Sequence, residues 1–442
     1  MKTVLTTLLA AITLAWGWDF FYVNPASSAS LPWLIRQQGL LLSGLWSIGL
    51  MSLVMLLATR PAWLERPLGG MDRVYRLHKW AGILAIVFAA AHWLLDLSSD
   101  LLKALIGKAG RPPKGDLTAF AHAMRDISKD MGEWAVYALL IMLAITLWKR
   151  FPYRMWRYIH RAMPLLYLAL VFHTAVMAPN QYWSQPLGLL MFALMATGVA
   201  ASILVVLGHV GRNRRFNATI AAIAHPGAGV AEITCRLEQK WPGHKPGQFA
   251  FVTFDSTEGA HPFTISSAHH PDRSVVFQIK ALGDYTDKLA HRLTIGQTAT
   301  IEGPYGHFNV NRRDKRARQI WIAAGIGVTP FLSWLASLQE PQNAGNTPAA
   351  DLHYFVRDAQ TDPFVEKLRA LCAPLPEITL HIHATGTGNS VDAGRILAQY
   401  IPEQRHEIWY CGPTGLADLL KQYAKGANWR RIKFHQEAFE MR

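Results

Sequence analysis

Six long apolar segments dominate the first half of the chain and constrain its fold more than any other feature. A bilayer-spanning helix needs about 20 mostly apolar residues, and aromatic flanks extend the shorter segments to that length. The 442-residue chain is 51% hydrophobic, with a mean hydropathy of +0.11. We therefore predict an integral membrane bundle of six helices, followed by a soluble half. The apolar cores are 3–23, 39–58, 80–96, 134–148, 163–178 and 186–210.

The first apolar segment has two interpretations. Met1 and Lys2 precede an apolar run that is followed by Ala26–Ser30, a pattern that also fits a secretory signal peptide. Trp16–Val23 prolongs the run beyond the usual length of a signal core. We therefore favour a retained membrane helix.

Basic residues are distributed unevenly between the ends of these segments. Loops 59–79 and 149–161 carry five lysine or arginine residues each, and segment 212–215 carries three. Loops 24–32 and 179–185 carry none. Loop 98–130 carries both signs of charge. Because basic loops stay on the cytoplasmic side, we expect an inner-membrane protein whose N-terminus and soluble half are cytoplasmic. The same distribution accounts for much of the net charge of +14 and argues against a nucleic-acid partner.

Four histidines lie in the third and fifth spans at matching depths. His78 and His160 lie near the inner ends of their spans, and His92 and His173 lie toward the outer face. The fourteen steps from His78 to His92 leave both side chains within about 40° of one helix face. The thirteen steps from His160 to His173 leave an offset of about 140° in an ideal helix. We therefore predict a bend between them, for which Pro164 offers a cause.

Two imidazoles at one depth on facing helices can hold a haem from both sides. Neutral imidazole nitrogen is an iron ligand, and two of them leave no open coordination position. Ionisable residues within a membrane span are costly and indicate function. We therefore predict two haem b groups, one held by His78 and His160 and the other by His92 and His173. A transition-metal transporter using the same histidines is the alternative.

Two patterns divide the soluble half. Residues 213–312 alternate apolar and polar positions between glycines and prolines, which predicts a small antiparallel β-barrel. Residues 313–442 alternate strands with helices and predict a Rossmann-like α/β nucleotide domain. The predicted domains are therefore 1–212, 213–312 and 313–442. Strands are expected at 229–238, 248–254, 274–282, 298–302, 319–323, 351–356, 377–384 and 406–411, and helices near 363–372, 392–400 and 414–424.

Two turns of the nucleotide domain are candidate ligand sites. The GIGVTP sequence at 325–330 follows a predicted strand, and such glycine turns let backbone N–H groups approach a pyrophosphate. The Cys411-Gly412-Pro413 sequence ends a later strand, where open parallel sheets bind ligands. Cys411 could therefore lie beside a nicotinamide ring, or be an ordinary small apolar residue at a strand end.

The HPFT sequence at 261–264 is the most specific motif of the soluble half. Together with GQF at 247–249, GDYT at 283–286, GPYG at 303–306, GIGVTP and CGP, it resembles the NADPH oxidase and ferric reductase superfamily. The resemblance covers nearly the whole chain, including the two histidine pairs. It implies a ferric-reductase-type haem domain, followed by a ferredoxin-reductase-type module that binds FAD in a β-barrel and NAD(P)H in an α/β domain.

The resemblance also implies roles for individual residues. Thr264 would hydrogen-bond the flavin ring, and Cys411 would lie near the hydride path. Arg357 follows the second strand of the nucleotide domain and could reach a 2′-phosphate or be a solvated charge. We favour NADPH over NADH. The other implied contacts are His261, Pro262 and Phe263 with the flavin, Lys280 and Thr286 with the FAD phosphates, and Gly325, Gly327, Thr329, Gly412 and Pro413 with the nucleotide.

The C-terminal segment resembles a family ending in which an aromatic side chain covers the flavin. Phe439 is the matching residue. In animal oxidases this Phe is the last residue, whereas Glu440, Met441 and Arg442 follow it here. A last strand with a buried Phe is the alternative.

The resulting functional hypothesis is an electron-transfer enzyme that uses NAD(P)H, FAD and two haem b groups across a lipid bilayer. We expect O2 to be the acceptor and superoxide the product. A ferric-chelate reductase that uses Fe(III), or an electron-relay subunit for a periplasmic protein, are the alternatives.

Overall fold

The computed structural model describes residues 2–23, 29–111, 118–148, 150–238, 241–343, 345–386, 393–427, 429 and 431–437. The chain forms two compact units. Residues 1–68 and 73–210 form a helical unit, and residues 69–72 and 211–442 form a unit that contains two β-sheets.

The helical unit confirms the predicted spans. Six helices in the described part of the chain are long and apolar enough to cross a membrane. The fifth span consists of two consecutive helices, α6 and α7, and the short α3 precedes the third span. The helices are α1 (Lys2–Trp18), α2 (Leu31–Ala58), α3 (Ala62–Leu68), α4 (Met71–Ile106), α5 (Ala119–Leu147), α6 (Tyr153–His160), α7 (Met163–Met177) and α8 (Pro186–Val206).

The predicted loop 98–130 is wrong in its extent. Helix α4 continues to Ile106 and α5 begins at Ala119, so most of this segment is helical. Its charged residues exclude it from the bilayer core but not from a helix, because they lie on exposed turns. Lys103 and Asp100, for example, form an ion pair of 2.6 Å three residues apart on α4, a spacing that supports a helix.

The fifth span is interrupted where the histidine spacing required a bend. Helix α6 ends at His160, and α7 begins at Met163 with Pro164 in its first turn. Proline lacks the backbone N–H that a helix interior requires, but the first turn leaves that group unpaired in any case. The helix is therefore interrupted at Arg161 and Ala162, between the two histidines.

Helix α1 packs against α2 within the bundle. The side chain of Ile12 is fully buried, and the indole N–H groups of Trp16 and Trp46 donate to Gln38 Oε1 at 3.2 Å and Thr13 Oγ1 at 3.0 Å. Helix α1 therefore covers part of α2, and the retention of this segment stays a prediction.

The first sheet of the second unit is antiparallel. Its spatial order is β4-β3-β6-β1-β2-β5. The four predicted strands of this region are confirmed, whereas β1 and β4 were not expected, because β1 exposes most of its length and β4 contains a proline. Edge strands tolerate proline. The elements are β1 (Arg215–Gly227), β2 (Val230–Leu237), β3 (Phe249–Thr253), β4 (His261–Thr264), β5 (Ser274–Lys280), β6 (Thr298–Tyr305) and the helix α9 (Asp284–Arg292).

The second sheet is parallel and has helices between its strands, which confirms the doubly wound pattern. Its spatial order is β11-β10-β7-β8-β9. The order reverses between β7 and β10, and open sheets bind ligands at the carboxyl ends of strands beside such a reversal. The elements are β7 (Arg318–Ala324), β8 (Ala350–Val356), β9 (Ile378–Ala384), β10 (His406–Cys411), β11 (Ile432–Glu437), α10 (Thr329–Leu338), α11 (Pro363–Cys372), α12 (Ala393–Leu397) and α13 (Thr414–Gly426).

Candidate functional site

The four membrane histidines meet as the two predicted pairs. The ring centres of His78 and His160 are 6.1 Å apart, with 65° between the ring planes. Those of His92 and His173 are 6.2 Å apart, with 84° between the planes. We call the first the inner pair and the second the outer pair, after the orientation predicted from the basic loops.

Both separations fit two imidazoles on opposite sides of one metal ion. A metal–nitrogen bond of about 2 Å places the centre of each imidazole about 3 Å from the metal, and so two opposed rings about 6 Å apart. Among the described residues, no group of three or more His, Cys, Asp and Glu side chains could hold a metal ion. A haem iron takes its remaining ligands from the porphyrin, so that two opposed imidazoles are what it needs from a protein.

Three of the four rings are oriented by backbone carbonyl groups. His78 Nδ1 lies 3.1 Å from Val54 O, His92 Nδ1 lies 2.8 Å from Leu40 O, and His173 Nδ1 lies 2.7 Å from Ser128 O. A carbonyl oxygen only accepts, so Nδ1 donates in each case. This leaves Nε2 as the nitrogen with a free lone pair, which is the usual arrangement of a metal-binding histidine.

His160 is held differently. Its Nδ1 is buried and has no hydrogen-bond partner among the described residues. Its ring instead stacks on Trp156, with centres 4.8 Å apart and planes 20° from parallel. The Trp156 indole N–H donates to Thr146 Oγ1 of α5 at 2.9 Å, and this bond connects the support of His160 to a neighbouring span.

Two glycines make room for the outer pair. A Cβ atom on Gly44 of α2 would lie 3.0 Å from Nδ1 of His92, and one on Gly132 of α5 would lie 2.5 Å from Cε1 of His173. The first distance is tight and the second is incompatible with the ring position. Both helices therefore approach the histidines as closely as a residue without a side chain allows.

Charged side chains lie one helical turn beyond the outer pair. Arg36 Nη2 donates to Asp96 Oδ1 at 3.2 Å and to its backbone oxygen at 2.9 Å. Asp96 follows His92 by four residues on α4, and Arg36 precedes Leu40 by four on α2. Lys129 lies 3.9 Å from the same carboxylate. A polar region therefore adjoins the outer pair.

The HPFT sequence forms edge strand β4 of the antiparallel sheet. The side chain of Thr264 is 4% exposed, and its Oγ1 is buried without a hydrogen-bond partner in the described part of the chain. Buried hydroxyl groups are normally paired, so this atom fits the implied bond to a flavin ring. His261 stacks on Tyr285 with ring centres 4.1 Å apart. Phe263 is half-buried beside Phe277, and Pro262 pairs in register with a β3 residue.

The residues implied to hold the FAD phosphates flank the start of α9. Lys280 is the last residue of β5. The Thr286 hydroxyl accepts from the backbone N–H groups of Leu282 and Gly283, at 3.0 Å and 3.2 Å. Thr286 therefore shapes the first turn of α9, and its contact with phosphate stays a prediction.

The two turns of the nucleotide domain meet at the carboxyl ends of β7 and β10. A Cβ atom on Gly327 would overlap the backbone oxygen of Cys411, and one on Gly412 would lie 2.9 Å from the Cβ of Ala324. Gly325 has φ +54°, a conformation that favours glycine.

Two hydrogen bonds hold these turns in place. Thr329 is buried and its hydroxyl donates to the Ile326 carbonyl at 3.1 Å. The Pro413 carbonyl accepts from the Tyr410 hydroxyl at 2.5 Å.

Cys411 is fully buried at the end of β10, as the apolar interpretation of this residue expected. Burial, and then the nearby Glu437 carboxylate, raise the pKa of its thiol well above the usual value. The thiol is therefore protonated at neutral pH and is not a nucleophile. Glu437 lies opposite Cys411 in the parallel pairing of β10 with β11.

Two other predicted site residues lie apart from this turn. Phe439 lies outside the described residues, and Arg357 is exposed immediately after β8.

Comparison with protein families assigns both units. Residues 43–171 match the family described as the ferric reductase like transmembrane component, and residues 215–309 match an FAD-binding domain. The chain belongs to the NADPH oxidase and ferric reductase superfamily. The first match contains His78, His92 and His160 and ends two residues before His173, and the second match contains HPFT. This superfamily member therefore combines a ferric-reductase-like transmembrane domain with an FAD-binding domain.

The similarity to curated relatives covers part of this superfamily member. The glycine betaine monooxygenase reductase subunit of Chromohalobacter salexigens is 29% identical over 213 residues, which are 44% of this chain and 56% of that protein. The carnitine monooxygenase reductase subunit of Escherichia coli is 28% identical over 151 residues, which are 34% and 43% of the two chains. The chain thus spans about half the length of the curated relatives it matches.

Solved structures show similarity at low identity. The flavohemoglobin of Malassezia yamatoensis with bound FAD and heme has a TM-score of 0.47 at 15% identity, and the match covers 77% of this chain and 92% of that one. A phthalate dioxygenase reductase has a TM-score of 0.41 at 18% identity, over 51% of this chain and 68% of that one.

Sequence reasoning missed Gly44, Gly132, Trp156 and Glu437. The glycines and Glu437 become neighbours of the candidate ligands only through packing between distant elements. Trp156 had a local signal, because a residue four positions before His160 lies on the same face of a helix.

Proposed function

We propose that this superfamily member passes electrons from cytoplasmic NAD(P)H to an acceptor on the opposite face of the membrane, with FAD and two haem b groups as its cofactors. The spacing of the two histidine pairs, 6.1 Å and 6.2 Å, is the observation that carries this proposal. Bound FAD supplies the exchange between a two-electron donor and one-electron carriers, and haem iron supplies one-electron steps.

Each set of residues has a defined task under this proposal. His78 and His160 would hold the inner haem, and His92 and His173 would hold the outer haem. The carbonyl groups that accept from Nδ1 would keep Nε2 free to bind the metal, and two imidazoles on one iron would leave no open position for O2. The acceptor would therefore be reduced without binding to the iron.

The soluble half binds and orients the electron donor. Thr264 orients the flavin through a hydrogen bond from its buried hydroxyl, with His261, Pro262 and Phe263 beside it and Lys280 and Thr286 toward the phosphates. The backbone at Gly325 and Gly327 takes the nucleotide, with Thr329, Gly412 and Pro413 bounding the same edge. The protonated Cys411 thiol, beside Glu437, provides an uncharged surface near the hydride path.

The proposed acceptor is O2, which one electron reduces to superoxide. The polar region of Arg36, Asp96 and Lys129 beyond the outer pair supports the exit of electrons there. It suits an anionic product and also a small anionic chelate, which the acceptor assays below distinguish.

Purified full-length protein tests the cofactors first. Two haems per chain in a haemochrome assay, and their reduction by NAD(P)H in the presence of FAD under anaerobic conditions, are expected. The variant His122→Ala serves as a control, because His122 is exposed on α5. Protein without haem would overturn the proposal and favour the metal transporter.

Two acceptor assays then separate the three remaining functions. Cytochrome c reduction that superoxide dismutase abolishes supports the oxidase. Anaerobic reduction of Fe(III) chelates that is insensitive to dismutase supports the ferric reductase instead, and inactivity in both assays supports an electron relay to a protein. In the same assays, Arg357→Gln is expected to raise KM for NADPH but not for NADH if that side chain binds the 2′-phosphate.

Protease protection in sealed inverted vesicles tests the proposed location. Cleavage of the soluble half from the cytoplasmic side, with the segment between α4 and α5 protected, is the expected result. Cleavage from the opposite side only would reverse the orientation.

A further inference from the structure

Helix α6 carries one arginine that differs from its neighbours. Arg154 and Arg161 are exposed, whereas Arg157 is half-buried. The Arg157 Nε is buried and has no hydrogen-bond partner among the described residues. Guanidinium groups are almost always charged, and burying such a charge without a partner is costly. A buried guanidinium N–H without a partner therefore indicates an anion that completes the site.

The position of Arg157 identifies where that anion would lie. Arg157 precedes His160 by three residues in α6, so the two side chains project from neighbouring positions on one side of the helix, about 60° apart. Trp156, which stacks on His160, occupies the adjoining position. The unpaired donor thus belongs to the same helix face as the inner histidine.

We propose that Arg157 binds a carboxylate of the haem held by His78 and His160 and so positions that haem at the inner end of the bundle. This inference rests on the proposed function. Guanidinium and carboxylate form a charge-assisted, forked pair, and haem b carries two carboxylates. The phosphate of an anionic lipid headgroup shares this chemistry, and the test below distinguishes the two sources.

The test is a spectroelectrochemical titration of full-length protein in lipid-free detergent. The background is His173→Ala, in which only the inner haem is expected to remain. Because a nearby cation favours the reduced, more negative haem, Arg157→Gln should shift the midpoint potential to a more negative value. Arg157→Lys retains the charge without the fork and should give a smaller shift. Arg154→Gln removes the same charge from the exposed face and should leave the potential unchanged.

Each outcome bears on the inference. A negative shift in Arg157→Gln that exceeds that of Arg154→Gln supports it, and so does loss of the inner haem from Arg157→Gln when Arg157→Lys retains it. Equal potentials in Arg157→Gln and Arg154→Gln would overturn it. A shift that occurs only in vesicles containing phosphatidylglycerol would also overturn it and assign Arg157 to a lipid. If wild-type protein binds two haems but Arg157→Gln leaves the midpoint potential unchanged, the inference fails and the proposed function stands. Wild-type protein without haem would overturn both the inference and the proposed function.

Discussion

The outer and inner histidine pairs have nearly equal ring separations but differ in how their ligands are held. Both outer rings donate to backbone carbonyls at 2.8 Å and 2.7 Å, and both lie against glycines of neighbouring helices. In the inner pair, His78 donates at 3.1 Å, and His160 has no such bond in the described part of the chain. The outer ligands are thus fixed by the backbone, and His160 is fixed by a side chain.

The same ring separation is thus reached in two ways, by hydrogen bonds to backbone carbonyl groups and by stacking on a tryptophan side chain. Backbone carbonyls change little when side chains are replaced, so the outer pair should be sensitive chiefly to the loss of space around it. A stacked tryptophan can be replaced, so the inner pair should be sensitive to the residues of α6. Four substitutions test the contrast, from the largest expected effect to the smallest.

Replacing His173 with Ala should have the largest effect. The outer haem loses one of its two protein ligands, so haem content should fall from two per chain to one and acceptor reduction should fall to background. Reduction of FAD by NAD(P)H should continue, because the soluble unit is unchanged. Haemochrome assay and anaerobic flavin bleaching measure the two effects. Two haems and full acceptor reduction in this variant would remove His173 from the site.

Gly132→Ala should nearly reproduce that loss. Its Cβ would lie 2.5 Å from the His173 ring, which must move. Overpacking of this kind costs about 1–3 kcal/mol, equivalent to about 5- to 150-fold weaker haem retention. Retention of haem during dilution, followed by absorbance, is the measurement. Gly82→Ala on α4 is the matched control, because a Cβ there meets nothing within 4 Å. Equal retention in both variants would contradict close packing at His173.

Trp156→Leu should act on the inner pair alone. It removes the stacked ring from His160 and the hydrogen bond to Thr146, so the inner haem should become easier to lose while the outer haem stays. The loss of a packed aromatic pair and one hydrogen bond is worth about 1–3 kcal/mol. Trp156→Phe, which keeps an aromatic ring, should recover part of the effect. A parallel loss of both haems would show that the two pairs are not independently supported.

Gly44→Ala should have the smallest effect of the four. Its Cβ would lie 3.0 Å from the His92 ring, a distance that a shift of a few tenths of an ångström relieves. We expect haem retention to weaken by less than tenfold, a change below about 1.4 kcal/mol. The dilution assay used for Gly132→Ala allows direct comparison. A loss as large as that of Gly132→Ala would mean that α2 cannot yield at this position.

Much of this fold was accessible from sequence because its signals are local. The apolar segments define the spans, and the depths of His78, His92, His160 and His173 define their partners. The interruption near Pro164 followed from the angular mismatch alone. The alternation of strands and helices after residue 313 likewise predicted the parallel sheet.

The remainder depends on contacts between distant parts of the chain. Gly44 and Gly132 are ordinary membrane-helix glycines until the histidines of other helices lie against them. Glu437 becomes a neighbour of Cys411 only when β11 pairs with β10. The helical extensions of α4 and α5 were misjudged as a loop because charge marks the end of the apolar core rather than the end of the helix.

The break between α6 and α7 has a consequence for how such chains can diverge. His78 and His92 share one uninterrupted helix, α4, so inserting or deleting a residue between them would rotate one ligand by about 100° relative to the other. Between His160 and His173, the turn at Arg161 and Ala162 can absorb such a change. Homologous proteins are therefore expected to vary in ligand spacing on the fifth span while keeping a fixed interval on the third.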